Sequence, residues 1–397
     1  MAQFSLTTAS NLFKIKYGKL SENTYNSANV LLGRVKKDFN FTGKRMDIAV
    51  PTSFAGGVGS GSLPTPNYAA IQDAVITSKK MYSVIQIDRE SIKAASQNEG
   101  AFVELTKFSV QKGVESWMRN MSRALFNDAT GSLGQFSGSA TGTASAPVLT
   151  ITSASWKEAN FEEKDYINVN SLSSVWEITA VDPSTRTVTL ARISGSDDLT
   201  SIGAGTHTVY MQNSKDADPS GLKGVLDATS GSLYTISVGR RWQAGAQVAA
   251  GGAGLTTDLM NQVMLEVQRK SGKVPNLIMC SFTQYRKLLN VLEDQKQYIV
   301  EPRSPELMGK VSFRGVEFMS SAGPVGVFPE RFIEDDRMYF LNDNFIQIHH
   351  RPDFGWFDDD GSVFLRTSGD AYEARYGGYL ETYIVPPFHG VISGLAT

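Results

Sequence analysis

A single cysteine, Cys280, stands among 397 residues. No intrachain disulfide can form, which fits a reducing compartment or a fold that needs no bridges. No apolar run approaches the roughly 20 residues that a membrane-spanning helix requires. The start, MAQFSLTTASNLFK, lacks the basic segment and apolar core of a secretory signal, so a soluble protein with no membrane partner is expected. A dominant charge is missing as well: 38 Lys+Arg face 40 Asp+Glu, for a formal net charge of -2 and a pI near 6.2. That balance excludes a strongly basic nucleic-acid binder as a reading of the whole chain. No internal repeat is present. The one local excess is basic: Lys14, Lys16, Lys19, Arg34, Lys36 and Lys37 precede residue 38, against Glu22 alone.

Catalytic constellations are missing too. Gly57-Val58-Gly59-Ser60-Gly61 resembles a phosphate loop or a nucleophile elbow only loosely. It joins no strand to a helix, and no GK[ST] follows it, so a pliable tip is expected. Asp358-Asp359-Asp360-Gly361 lacks the further spaced oxygens of a calcium loop and reads as a solvated turn. His349 and His350 are adjacent, so on a strand they point to opposite faces and make poor joint metal ligands. His207 and His389 are isolated. Cys280 ends an apolar run and reads as a small buried hydrophobe. No paired carboxylate or triad assembles. The expectation is no enzyme, no cofactor and no metal.

What is present is order. Lys36–Ile87 is Gly-rich and extended. Met46, Ile48 and Val50 alternate with polar residues, as do Phe39 and Phe41, at the period of a strand. PTSFAGGVGSGSLPTPNYAA, residues 51–70, reads as a turn region, and β-rich sequence returns at Lys80–Ile87. The simplest expectation is a long hairpin whose limbs of about 20–25 residues reach roughly 60–80 Å at about 3.3 Å per residue. An isolated hairpin is marginal in water, so a partner surface is implied. A helix is expected over about Gly100–Asn127, roughly 42 Å at 1.5 Å per residue. Val110, Val114, Trp117, Met121 and Leu125 form its apolar stripe. Glu104, Lys112, Glu115, Arg119 and Arg123 fall largely outside it.

Residues 129–222 turn to Ser, Thr, Gly and Ala and read as a small, barrel-like β-module. Val175–Ala191 is its best hairpin, turning at Asp182-Pro183-Ser184-Thr185, with Trp176 in its core. From about Leu255 the pattern becomes α/β. Thr256 or Thr257 caps a helix that Gly272 ends. Pro275–Cys280 is a buried strand, and Ser281 with Gln284 makes a capping box for the next helix. Short aromatic strands fill the remainder.

The order of these parts resembles the major capsid proteins of tailed bacteriophages, the Hong Kong 97 fold. Lys36–Ile87 looks like their extended loop, and residues 88–128 like the spine helix with its lead-in. SGLKGVLDA, Ser220–Ala228, is similar to the junction before the axial domain, and Leu255–Leu289 to the axial helix–strand–helix. DAYEARYGGYLETYIVPPFHGVISGL resembles the closing peripheral strands. The resemblance implies an α+β fold: N-terminal arm 1–36, extended loop 37–88, peripheral domain with spine helix 89–130, β-rich insertion domain 131–222, axial domain 223–340 and a return to the peripheral domain over 341–397.

It also implies function. Hexamers and pentamers would form an icosahedral head around double-stranded DNA, in the virion, after assembly in the host cytoplasm. A separate scaffolding protein, a portal and a decoration protein are the implied partners. Intersubunit contacts would fall on the arm and loop, with Phe39, Phe41, Lys44, Arg45, Phe54, Tyr68, Lys79 and Lys80 as candidates. Some relatives cross-link a loop lysine to an asparagine near the C-terminus. Lys44, Lys79 and Lys80 are available, but residues 383–397 contain no asparagine, so contacts without covalent linkage are expected. Two rivals stand beside this reading: an encapsulin-type nanocompartment shell, and a β-rich attachment or surface protein.

Overall fold

A helix as long as Glu99–Phe126 must bury its apolar stripe, and strands from both ends of the chain supply the cover. The computed structural model describes residues 30–52, 61, 70–88, 99–293, 316–321, 323–351, 355–357, 364–366 and 371–397. In chain order, a short helix α1 (Val30–Arg34) leads to β1 (Lys36–Asp38), β2 (Arg45–Pro51), β3 (Ile71–Thr77) and β4 (Lys79–Asp88). The long helix α2 (Glu99–Phe126) follows, then β5 (Ser132–Ser137), β6 (Thr141–Gly142), β7 (Pro147–Thr150), β8 (Tyr166–Val169), β9 (Val175–Asp182), β10 (Thr187–Ser194) and β11 (Thr206–Met211). Next come α3 (Leu222–Leu226), β12 (Ser232–Leu233), β13 (Ile236–Ser237), β14 (Ala246–Ala249), α4 (Thr257–Ser271), β15 (Leu277–Cys280) and α5 (Phe282–Glu293). The chain closes with β16 (Val316–Ser320), β17 (Gly323–Pro329), β18 (Met338–Leu341), β19 (Ile346–His350), β20 (Gly355–Trp356), β21 (Phe364–Arg366), β22 (Ala371–Ile384) and β23 (Gly390–Ser393).

β22 is the central strand of the first sheet. It pairs antiparallel with β4, β19, β20 and β21, and β1 adds to β19 in parallel. α2 lies on this sheet. Val114, Trp117, Met118, Met121 and Leu125 are buried in one core with Met81, Tyr376 and Leu380 of the sheet. The Trp117 ring meets Tyr376 edge-on at 5.8 Å, and its indole N–H donates to the Met81 carbonyl at 3.3 Å. Gly113 sits mid-helix, where glycine costs about 1 kcal/mol relative to alanine. A Cβ there would lie 2.4 Å from Ile85 of β4, so the strand approaches where the side chain is missing.

The second sheet runs β14-β23-β18-β15-β17-β16. Its β15 and β18 are buried on both faces, which is why they read as unbroken apolar runs. Leu277, Met279, Tyr339 and Leu341 enter the core shared with α2, while Ile278, Cys280, Met338 and Phe340 enter a second core under α4 and α5. Thr256 caps α4 by accepting the Leu259 N–H, and Gly272 ends it in the left-handed region at φ 71°. Ser281 accepts the Gln284 N–H at 3.2 Å. The expected capping box is only half formed, because the Gln284 amide donates to the Asp335 and Ala396 carbonyls instead.

Residues 132–211 form a sheet of their own, ordered β5-β11-β8-β9-β10-β7-β6. A bridge between Phe136 and Ile151 and a bond from the Thr152 N–H to the Gln135 carbonyl bring β7 back to β5 and close a ring. Its core is separate and includes Trp176, Ile178, Val188 and Leu190. The β9–β10 turn forms where expected: the Asp182 carboxylate accepts from the Ser184 N–H and from the Ser184 and Thr185 hydroxyls.

The two chains entering and leaving this ring are fastened side by side. The Asp216 N–H donates to the Thr130 carbonyl at 2.9 Å, and the Ser214 hydroxyl to the Gly131 carbonyl at 3.4 Å. Gly221 presses on the end of α2: a Cβ there would meet the Asn127 and Ala124 carbonyl oxygens at 2.2 and 2.3 Å.

The extended N-terminal region differs from expectation. Only β2 and β3 pair with each other, over seven residues each. Lys80–Ile87 belongs to β4, which pairs with β22 over the whole of Lys79–Asp88. Its alternation expresses burial of Met81 and Ile85 under α2 and of Ile87 beyond them, a surface no local pattern reveals. Nor is the β2–β3 hairpin free of the body. Ala74 and Ile76 pack with Ile236, Trp242 and Tyr383, and the Val75 N–H donates to the Tyr234 carbonyl at 2.9 Å. Phe39 and Phe41 lie outside any strand. The Gly-rich tip at 56–60 and the Asp358–Gly361 turn lie outside the described residues.

Because backbone atoms crowd Gly221, Gly221→Ala should lower stability by about 1–3 kcal/mol. Gly254→Ala, with nothing within 4 Å of its Cβ position, should stay within about 0.5 kcal/mol. Denaturant unfolding of dissociated subunits measures both.

Candidate assembly surface

With its helix face covered, the first sheet presents the opposite face outward. On β4 the outward residues are Tyr82, Val84 and Gln86, with Tyr82 43% and Val84 58% exposed. The register sets Lys80 opposite Tyr379 and Val84 opposite Arg375. The Tyr379 ring has the Lys80 ammonium 6.0 Å and the Arg351 guanidinium 4.9 Å from its centre. Tyr82 meets Tyr379 at 6.5 Å and Phe357 at 5.6 Å, both edge-on. Aromatic rings flanked by cations suit recognition by stacking and cation–π contact. They supply no nucleophile or proton acceptor.

The contact candidates read from the sequence do not gather into one patch. Phe39 is 49% exposed and stacks on His350 at 5.1 Å. Phe41 is fully buried within the subunit, which leaves it no surface to present. Lys44 is exposed and offers its carbonyl to the Ser78 N–H. Arg45 grips Asp47 with two bonds of 2.6 and 2.7 Å. Lys79 donates to the Asp216 carbonyl at 3.0 Å, and Lys80 covers Tyr379. Phe54 and Tyr68 lie outside the described residues.

A buried seam of charge between the ring and the body escaped the sequence reading. Near its C-terminal end the polar flank of α2 is covered by the ring and its neck, while Lys112 and Glu115 stay open to solvent. Arg119 pairs with Asp165 at 2.5 Å and with Glu162. Arg123, 5% exposed, donates to Asp218 at 3.2 Å. On the far side, Glu334 meets Lys157 at 3.6 Å, Lys223 at 2.6 Å and Arg337 at 2.5 Å. Burial pushes Asp165 and Asp218 upward against the pull of the arginines, and pushes Lys157 downward against that of Glu334. Burial also acts upward on Glu334, but its three cations outweigh it and hold the carboxyl below its ordinary range. The i, i+4 spacing of Arg119 and Arg123 was the one available signal, and it fits a solvated flank equally well.

The groups weighed for chemistry sit in structural roles. Cys280 is buried, and its thiol is pushed up to about 12. His389 is buried, accepts the Asn342 N–H at 3.1 Å and is held down at about 3 by burial. His207 bonds the Asn170 side chain at 2.9 Å. Among the described residues no group of His, Cys, Asp or Glu is arranged to hold a metal, and no helix is long and apolar enough to cross a membrane.

Known proteins match at two levels. A family model described as the SU10 major capsid protein matches residues 200–359. That stretch runs from the end of the ring through every strand of the second sheet but β23 to β20. The fold is shared with the subunit in the cyanophage A-1(L) capsid, at 10% identity, TM-score 0.55 and 93% coverage of both chains. Weaker likenesses include a chain of Mycobacterium phage Patience, at 9% identity, TM-score 0.43 and coverage of 98% and 88%. Another is the SrpI encapsulin of Synechococcus elongatus PCC 7942, at 9% identity, TM-score 0.44 and coverage of 92% and 87%. At such identities the likeness shows fold alone. No curated protein matches the sequence.

Because Arg123 and Asp218 are both buried, Asp218→Ala should strand a cation and cost about 3–5 kcal/mol. Lys164→Ala, which breaks a pair with Glu177 at a lysine whose side chain is 79% exposed, should change stability by less than about 1 kcal/mol. Comparing their unfolding midpoints tests whether the seam holds the ring in place.

Proposed function

We infer that this chain is a major capsid protein of the tailed-bacteriophage type: a structural protein, not an enzyme, that self-associates into a virion shell. One coincidence carries this reading. The whole fold follows a phage capsid subunit along 93% of each chain, and the family model matching residues 200–359 is itself that of a major capsid protein. The absence of any assembled catalytic group in the sequence accords with it.

The finer assignments are our own reading. Subunits gather as hexamers and pentamers in an icosahedral head of the Hong Kong 97 type. Residues 1–36 act as the arm and 37–88 as the extended loop. α2 is the spine helix of the peripheral domain, 89–130. The ring is an insertion domain over 131–222. The axial domain covers 223–340, and 341–397 return to the peripheral domain. Phe39, Lys44, Arg45, Phe54, Tyr68, Lys79 and Lys80 supply contacts from the arm and loop, while Phe41 anchors its segment from within. The near-zero net charge of -2 suits a wall that contacts double-stranded DNA without sequence preference. A separate scaffolding protein, a portal and an external decoration protein complete the head. A nanocompartment shell would share the fold, and its particles would carry an enzyme where a phage head carries nuclease-protected DNA.

Deletion of residues 53–66 tests the role of the loop. Subunits should keep their circular dichroism spectrum and melting behaviour but sediment as free subunits. Particles of normal size would contradict the assignment.

A further inference from the structure

The strand register places three titratable side chains in one row. β19 sets His349 directly opposite Glu381 of β22, and β1 sets Asp38 directly beside His349. Residues so paired share a face of the sheet. The His349 Nδ1 lies 3.5 Å from the Asp38 Oδ2. His349 is 1% and Glu381 4% exposed. Their cover is aromatic: Tyr383 lies 6.2 Å from His349, and Tyr234 packs on Tyr383 at 5.4 Å. The remaining charged groups facing the row are Lys36 of β1, which acts on His349, and Lys79 of β4, which acts on Glu381. His350 turns to the other face and stacks on Phe39.

Each end of the row holds a different segment. Glu381 Oε1 accepts the Ser220 N–H at 2.6 Å, and with it the chain leaving the ring, as well as the Thr382 N–H at 3.0 Å. His349 faces Asp38 and with it β1, the strand that joins residues 1–35 to the body. The Nε2 of His349 is buried with no hydrogen-bond partner among the described residues, so a charge there would be poorly solvated.

We propose that Asp38, His349 and Glu381 form a buried proton-sensitive latch whose two ends answer pH in opposite senses, the neck of the ring loosening as pH rises toward neutral and the N-terminal strand loosening as pH falls. Burial drives both limbs. It raises Glu381 to about 7, against the two backbone N–H groups and Lys79. An opened neck, where the carboxyl returns to its ordinary range, is therefore increasingly favoured as pH rises from that range to about 7, and no further above it. Burial also lowers His349, and the attraction of Asp38 offsets this only in part. An opened β1 therefore takes up a proton that the closed strand resists, and opening is favoured as pH falls below about 6.5. The row lies within one subunit, so it operates with or without assembly.

Hydrogen exchange of the full-length unassembled chain, corrected for intrinsic rates, tests this. Protection at residues 218–222 should fall by up to about tenfold per pH unit from about pH 4.5 to about pH 7 and level off above it, and protection of β1 should fall below about pH 6.5. Glu381→Gln should abolish the pH dependence of the neck and keep that of β1, and His349→Gln should do the reverse. Flat neck protection from about pH 5 to 7, or a neck dependence that survives Glu381→Gln, overturns the proposal. Should Glu381→Gln fail to fold, infrared spectra of the wild type decide. A buried protonated carboxyl present at about pH 6 and gone at about pH 8.5 supports the latch, and its absence at about pH 6 refutes it.

Discussion

Burial of the long helix against β22 is the interaction on which everything else rests. α2 carries its stripe onto a strand that pairs with β4, β19, β20 and β21 at once. Trp117 fixes the depth of contact through Tyr376 and the Met81 carbonyl. Fully burying each large apolar side chain contributes about 1.5–3 kcal/mol relative to exposure. The five stripe residues named on α2 therefore outweigh any single polar contact in the body. Once β22 is held, its outward face is divided. The end near Glu381 and Tyr383 lies beneath the β2–β3 hairpin and Trp242. The end near Tyr379 stays open as an aromatic and cationic surface. The covered part anchors the subunit, and the open part is free to meet another.

The second constraint is the neck. A closed β-ring with its own core could move freely on two strands of linker. Here the linkers bond each other, Gly221 lies against α2 carbonyls, and Arg123–Asp218 is sealed between them. Lys157 and Glu334 add a tie on the other side. Buried ion pairs add little net stability, because desolvation cancels most of their attraction. Their effect is positional, since separating the ring from the body would strand several charges at once. A shell wall needs modules that keep their direction under strain, and this seam provides that.

Much of the fold was legible from the sequence because local chemistry reports it. The period of α2, the caps Thr256 and Gly272, the buried Leu277–Cys280 and the Asp182 turn each carry their own signal. The failures share one physical cause. Lys80–Ile87 was joined to the wrong partner because its alternation records a face and not the strand that pairs with it. Arg119 and Arg123 showed only as lying outside the apolar stripe, because their cover arrives from residues 162–218. Glu381 gave no signal at all, since its setting depends on strands distant in sequence. Phe41 was read as a surface residue because an isolated aromatic in an extended segment looks the same whether it faces inward or outward. The order of segments, more than any single motif, carried the functional reading.

Electron microscopy of the whole chain, expressed alone and with candidate partners, tests the central claim most directly. Closed icosahedral particles, or rings of five and six subunits, are the predicted result. A stable monomer at every concentration and with every partner tried would contradict it.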